Sequence, residues 1–250
     1  MTSLLPVDQI AERILQIRQT LPDTVRLIAV TKQIPVALMR VAYEAGIRDF
    51  GENRVQEAIT KQAQLADLTD VTWHLIGHLQ RNKAAKAAER FQWIHSVDNL
   101  QLAQRLNQFA GMDQFAGMDQ VKFDRPQDLD QTPDHGLAKL KVCLQVKIVP
   151  DPNKYGWTIP ELLADLPALN ECQQLEISGL MVIPPYGLPT SETLAIFMRA
   201  RQLAEEIQQQ NWSNISMGQL SMGMSDDYSL AIQAGATFIR LGRTLFGERK

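Results

Sequence analysis

The sequence predicts a single α/β domain built as a (β/α)8 TIM barrel with an extra N-terminal helix. Three observations predict it. Short β-rich runs alternate with longer helical patterns eight times along 250 residues. A helical crossover after every strand makes the strands parallel, which leaves either a closed barrel or an open doubly wound sheet. Eight such units in about 250 residues is the size of the barrel. The open sheet usually shows a Gly-rich turn after its first strand, whereas that turn here reads VTKQIP.

The extra helix opens at Pro6-Val7-Asp8 and sets Ile10, Ile14, Ile17 and Leu21 on one stripe. RLIAV (26–30) is an apolar, β-branched run and reads as a buried strand. Pro35 opens the next helix and Gly46 closes it. IRDF (47–50) is strand two, and its helix holds Val55, Ile59 and Ala63. TWHLI (72–76) precedes the Ala-rich helix NKAAKAAER, and WIHSV (93–97) precedes a helix capped by Asp98 and bearing Leu102, Leu106 and Phe109. LKVCLQVKI (140–148) leads to a helix at 160–169, and SGLMVI (178–183) to a long helix at 190–210. QLSM (219–222), a helix at 225–234 closed by Gly235, and TFIRL (237–241) complete the circle. A faint internal repeat supports this reading, because AGIRDFG and AGATFIRLG each set a helix-ending Gly before a strand. One segment breaks the rhythm. FAGMDQ occurs twice in tandem from Phe109, and polar sequence follows, so residues 111–136 are expected to be an inserted loop without a functional role.

With 25 basic and 28 acidic residues the net charge is −3, which gives no global pull toward nucleic acid or an anionic membrane. No apolar run approaches the roughly 20 residues that span a bilayer, and the opening MTSLLPVDQI lacks a signal-peptide pattern. Cys143 and Cys172 form no CxxC pair and are expected to be reduced thiols, in keeping with a cytoplasmic protein.

In a barrel of this kind the active face is built from the loops that follow the strands. Lys32 leaves strand one; FGENRVQE (50–57), GHLQRNK (77–83), HSVD (95–98) and PDPNKYG (150–156) follow strands two to five; LSMGMSDD (220–227) and RLGRT (240–244) close the set. A lysine at a dry barrel mouth loses hydration, which frees its amine as a nucleophile toward aldehydes. The loops after strands seven and eight are the usual phosphate site of the architecture. Here Ser221, Met222, Gly223 and Ser225, then Gly242, Arg243 and Thr244, offer close backbone approach and hydroxyl donors. Asp226 and Asp227 would repel a phosphate and are expected to face outward. An amine opposite a phosphate cradle suits a phosphorylated aldehyde, either pyridoxal 5′-phosphate (PLP) or a sugar phosphate. His74 and His78 are four apart on a strand-like segment, so no metal site is expected from them, and His135 falls in the insertion.

These runs carry a resemblance. AVTK, FGENRVQE, WHLIGHLQRNK, HSVD, GLMVIPP, LSMGMSDD and RLGRTLFGER, in that order, resemble the YggS/PROSC family of pyridoxal phosphate homeostasis proteins over nearly the whole chain. The resemblance implies a fold type III barrel like the N-terminal domain of alanine racemase, monomeric or weakly dimeric. It implies PLP, the vitamin B6 cofactor, held covalently as a Schiff base on Lys32, with its phosphate at Ser221–Ser225 and Arg240–Thr244. By similarity to alanine racemase, Arg240 would lie near the pyridine nitrogen and keep it unprotonated. Asn53, His78 and Met181 would line the pocket. The chain departs from the family pattern after strand five, where KIVPD replaces N-x-S-G-E, although Lys154 and Gly156 remain.

The related racemases add a β-rich second domain that supplies a tyrosine base. A chain of 250 residues leaves no length for one, and proton transfer on two faces needs two positioned acid–base groups. The expected function is therefore buffering, protection or delivery of PLP to dependent apoenzymes, with indirect effects on amino-acid and keto-acid metabolism and no residue assigned a catalytic role. A weak PLP-dependent racemase, a Schiff-base aldolase and a regulatory module are the rival readings.

Overall fold

A computed structural model of the chain describes residues 4–110 and 139–248. The expected insertion at 111–136 lies outside the described residues. The elements run α1 (Val7–Thr20), β1 (Arg26–Val30), α2 (Val36–Glu44), β2 (Asp49–Glu52), α3 (Val55–Gln64), β3 (Thr72–Leu75), α4 (Ala84–Arg90), β4 (Trp93–Val97) and α5 (Leu100–Ala110). They continue with β5 (Leu140–Lys147), β6 (Trp157–Thr158), α6 (Ile159–Asn170), β7 (Leu175–Met181), α7 (Thr190–Gln208), β8 (Ile215–Ser221), α8 (Tyr228–Gln233), β9 (Phe238–Leu241) and α9 (Arg243–Phe246).

The strands β1 to β5 and β7 to β9 each pair in parallel with the next, β5 pairing with β4 and β7, and β9 returns to β1. The sheet closes on itself as eight parallel strands, which excludes the open sheet. The two-residue β6 is an appendage on β5. Helix α1 packs on α2 and α9.

Two helix ends explain both the internal repeat and a shifted strand. Gly46 has φ +93° and Gly235 has φ +92°, conformations that favour glycine. After α2, Gly46 N–H bonds Tyr43 O and Ile47 N–H bonds Ala42 O; after α8, Gly235 N–H bonds Ile232 O and Ala236 N–H bonds Ala231 O. Each pair is a Schellman motif. Ile47 is thus spent on ending the helix, and strand two begins at Asp49 instead of residue 47. Strands β7 and β8 start three or four residues before the apolar runs chosen from sequence, because Leu175, Ile177, Ile215 and Met217 alternate burial with exposed partners.

The alternation of side chains along the strands makes two cores. Leu27, Ala29, Phe50, Leu75, Leu144, Leu180 and Ile239 pack outward against the helices. Ile28, Trp93, Cys143, Met181 and Phe238 form a separate cluster inside the barrel. Both cysteines are free thiols and buried. Among the described residues, no helix is long and apolar enough to cross a membrane.

Candidate functional site

Lys32 sits in the turn after β1, half-buried, and its two neighbours are tied down. Thr31 Oγ1 donates to Glu52 Oε1 at 2.7 Å, and Gln33 N–H donates to Glu57 Oε1 at 2.5 Å. Lys61 Nζ joins the two carboxylates, at 2.8 Å from Glu52 and 2.7 Å from Glu57, and also bonds Thr31 O. Gln33 takes φ +59°, a left-handed conformation that costs a non-glycine residue energy and persists where its surroundings hold it. The carboxylates of the FGENRVQE run thus clamp the lysine turn from outside the barrel. Burial pushes the Glu52 carboxyl above its usual range, against the pull of Lys61 and Thr31.

Asn53 leaves β2 beside this turn, and its Oδ1 is buried without a hydrogen-bond partner among the described residues. It borders a cavity of about 430 Å³ that also touches Arg54, Gly77, His78 and Lys83. Gly77 permits the close approach: a Cβ there would lie 2.4 Å from Asn53 O and 2.7 Å from its Cα. His78 Nδ1 lies 2.8 Å from Asp98 Oδ2, and its ring stacks on Tyr155 with centroids 3.5 Å apart at 8°. Sequence reading assigned Asp98 as a helix cap. The cap is Asn99, whose Oδ1 accepts Leu102 N–H at 2.9 Å, and this leaves Asp98 to orient His78. Burial raises the Asp98 carboxyl, with His78 opposing.

The altered loop after β5 reaches the mouth nevertheless. Tyr155 comes from it, and Lys154 Nζ donates to the carbonyls of Ile183 and Pro184. Gly156 has φ +121°, and a Cβ there would meet Gln145 O at 2.8 Å. Burial lowers the Lys154 pKa, with Asp151 opposing.

At the expected phosphate loops, Ser225 Oγ accepts Thr244 N–H at 3.3 Å, which joins the two loops directly. Gly223 has φ +92° and packs so closely that a Cβ would lie 2.6 Å from Ala231 Cβ. Arg243 is exposed and paired with Asp226, beside a cavity of about 380 Å³ that Ser225 and Thr244 also line. Gly242 precedes α9 as its first cap. Neither aspartate turns away from these loops as expected. Asp226 is exposed but lines the same cavity, with its carboxylate on Arg243. Asp227 Oδ1 turns back to accept Met224 N–H at 2.6 Å, because the tight turn before α8 needs an acceptor, and the helix starts at Tyr228 and not at residue 225.

Arg240 is 4% exposed at the end of β9. It donates to Ser221 Oγ at 2.7 Å and to Val182 O at 3.1 Å. Ser221 Oγ is 2.8 Å from His95 Nδ1, and His95 Nε2 is 2.9 Å from His74 Nδ1. His74 Nε2 reaches Asp49 Oδ1 at 2.8 Å, and Asp49 pairs with Arg26. Burial pushes the Arg240 pKa down to about 10, so it remains a cation at neutral pH.

The structure therefore gathers Lys32, Asn53, His78, Ser225, Arg240, Gly242, Arg243 and Thr244 at the C-terminal ends of the strands. Met181 is wholly buried with Trp93 and Phe238, as floor beneath the mouth. The side chain of Met222 packs in the outer core and its N–H bonds Phe238 O, while the Ser221 hydroxyl serves Arg240 and His95. Asp98, Tyr155, His95, His74 and Asp49 were missed. The HSVD run held the signal for Asp98 and His95, whereas Tyr155 sits in the loop that departs from the family pattern.

The alanine racemase N-terminal domain family matches residues 6–250. The pyridoxal phosphate homeostasis protein of Synechocystis sp. is 47% identical over 234 residues, 94% of this chain and 96% of that protein. The chain belongs to the pyridoxal phosphate homeostasis protein family. Its Pseudomonas aeruginosa member is 42% identical over 228 residues, 91% of this chain and 86% of that one. PipY of Synechococcus elongatus PCC7942, solved with PLP bound, is similar to this family member with a TM-score of 0.81 at 50% identity, covering 95% of this chain and 100% of that chain. Alanine racemase from Bacillus anthracis shares the fold alone, with a TM-score of 0.64 at 16% identity over 96% of this chain and 56% of that one.

Proposed function

We propose that this chain binds PLP at the mouth of the barrel and buffers, protects or delivers it, as a carrier in the cytoplasm, monomeric or weakly dimeric, and not as an enzyme. The observation that supports the reading is the clamped Lys32 turn at the C-terminal end of β1, in a barrel whose other strand ends carry Arg240, Ser225 and Thr244. The donor set fits the cofactor: an amine for an aldehyde, a buried cation for a ring nitrogen, hydroxyls with glycine backbone for a phosphate, and an unpartnered Asn53 oxygen for a donor on the ring. When bound, PLP supplies an electrophilic carbonyl and a conjugated ring.

The residues divide the work. Lys32 holds the cofactor covalently as a Schiff base. Thr31, Glu52, Glu57 and Lys61 fix the turn, so the lysine's backbone does not wander. Arg240 gives two of its five N–H donors to Ser221 and Val182 and presents a permanent donor to the ring nitrogen. A guanidinium does not give up its proton to that nitrogen and its charge disfavours a pyridinium, so the ring would remain a poor electron sink. Ser225, Gly242, Arg243 and Thr244 receive the phosphate, with Gly223 shaping the loop, and Asn53 and His78 border the ring edge. PLP-dependent apoenzymes are the recipients.

The test is borohydride reduction of PLP-incubated protein followed by peptide mapping. A pyridoxyl adduct on Lys32 is expected; an adduct elsewhere, or none, would remove the assignment. A second reading, a weak amino-acid racemase, is favoured by one observation. The His78–Asp98 pair is a second acid–base group at the same mouth, and Tyr155 lies on it. Steady-state turnover on a panel of amino acids, abolished in both Lys32→Ala and His78→Gln, would establish that reading over the carrier.

A further inference from the structure

The barrel interior carries more polar chemistry than its packing requires. Barrels of this type are filled by layers of branched apolar side chains. Here His74, His95 and Ser221 are 0% exposed and lie between Asp49 at one end and Arg240 at the other. Removing such groups from water costs free energy unless each is hydrogen-bonded, and each of them is. Aromatic walls enclose the pair of imidazoles. Trp93 stacks on His74 at 14°, and Phe238 presents its edge to His74 at 5.9 Å and to His95 at 5.3 Å.

The two ends determine where every proton lies. Arg240 has donors only, and an ionised Asp49 has acceptors only. Asp49 is ionised: burial raises its carboxyl, but His74 and Arg26 outweigh this and hold it below its usual range. Full burial disfavours an imidazolium at either ring, so a neutral His74 carries its proton on Nε2 and presents a bare Nδ1. His95 must fill that site from its own Nε2–H, which leaves its Nδ1 as acceptor for the Ser221 hydroxyl. Ser221 oxygen accepts from Arg240. Four hydrogen bonds point the same way, and both histidines are neutral.

We propose that Asp49, His74, His95 and Ser221 form a one-way hydrogen-bonded relay through the barrel that positions Arg240 and serves as its counter-charge at a distance. Among the described residues Arg240 makes no hydrogen bond to a carboxylate; its partners are a hydroxyl and a carbonyl. Asp227 acts on it only through space. The relay brings the polarisation of the Asp49 carboxylate to the Ser221 oxygen and pins the guanidinium there, with Arg26 closing the far end of the chain in partly exposed surroundings. The four are positioning residues. They act on a bound ring through Arg240, a consequence that rests on the PLP reading, whereas the proton order rests on the chain alone.

Two measurements test this. In the apoprotein, nitrogen-15 NMR of the imidazoles at neutral pH should show His74 and His95 both as neutral Nε2–H tautomers, with Ser221→Ala shifting the His95 Nδ1 resonance. A His95 proton on Nδ1, an imidazolium at either position, or no response to Ser221→Ala would overturn the relay. With PLP, Asp49→Asn and His95→Gln should each weaken binding by about tenfold, the scale of one charge-assisted hydrogen bond, and displace the visible absorption maximum of the bound cofactor. Wild-type affinity and an unmoved maximum in both variants would overturn the positioning role. A wild type that takes up no PLP would overturn the proposed function instead, and the apoprotein spectrum would still decide the relay.

Discussion

Gln33 N–H donates to Glu57 Oε1 at 2.5 Å, one residue beyond Lys32, from a left-handed backbone conformation with φ +59°. The turn that presents the lysine is thus held by a carboxylate on the neighbouring helix. Burial works against the Glu57 charge, but Lys61 and the Gln33 amide hold the carboxyl below its usual range. Glu57→Gln should retain one acceptor and lose the charge, loosening the turn. The expected result is PLP affinity reduced by about tenfold, the weight of a hydrogen bond to a charged group, with thermal stability nearly unchanged. Titration of PLP beside a melting curve of the same preparation checks it.

Lys61 links Glu52 and Glu57, and the Glu52 side chain is 0% exposed. Removing the ammonium leaves a buried carboxylate without its cation. Lys61→Met should therefore destabilise the fold by about 3–5 kcal/mol, and Lys61→Met combined with Glu52→Gln should recover part of that loss. Chemical denaturation of the two variants distinguishes this from a general packing defect, which the second substitution would not relieve.

Acid should weaken the fold before the carboxylates titrate. Burial lowers the pKa of His74 and sets that of His95 well below 6.5. Groups with depressed folded values contribute stability that is present above the unfolded value and lost as pH falls through it. The melting temperature should fall between pH 7 and pH 5 for this reason. Glu52, Asp98 and Asp227, whose folded values are raised, act in the opposite direction, each between its unfolded value and its raised folded one. His95→Gln should flatten the decline; an unchanged slope would contradict the assignment.

Ser225 Oγ accepts Thr244 N–H and so joins the loops proposed to hold the phosphate, with the exposed Arg243 beside them. Arg243→Ala and Ser225→Ala should each reduce PLP retention by several-fold without unfolding the barrel, in line with a lost hydrogen bond to a charged group. Equilibrium dialysis and circular dichroism on each variant check both halves of the statement. Unchanged retention in both would remove these residues from the phosphate site.

The barrel was legible in the sequence because its signals are local. Apolar runs such as RLIAV and WIHSV have the composition of buried strands, and Gly46 and Gly235 mark helix ends whose hydrogen bonds span only a few residues. The lysine and the two loops were legible for the same reason, as short runs at strand ends. The interior chain was not. Asp49, His74, His95 and Ser221 come from four strands, separated by 21 to 126 residues where they touch, and only barrel closure with a particular register brings them together. His74 and His78 drew notice as a pair, yet one points into the barrel and the other stacks on Tyr155 beyond the strand end. Asp98 was misread because two adjacent residues could cap the same helix, and Asn99 does.

The central claim is that Lys32 in its clamped turn holds PLP covalently. The most direct measurement is the visible absorption spectrum of wild-type protein and of Lys32→Ala, each incubated with PLP and freed of excess. A yellow wild type whose band is absent from Lys32→Ala is the predicted result. A wild type that remains colourless, or a variant that keeps the same band, would contradict it.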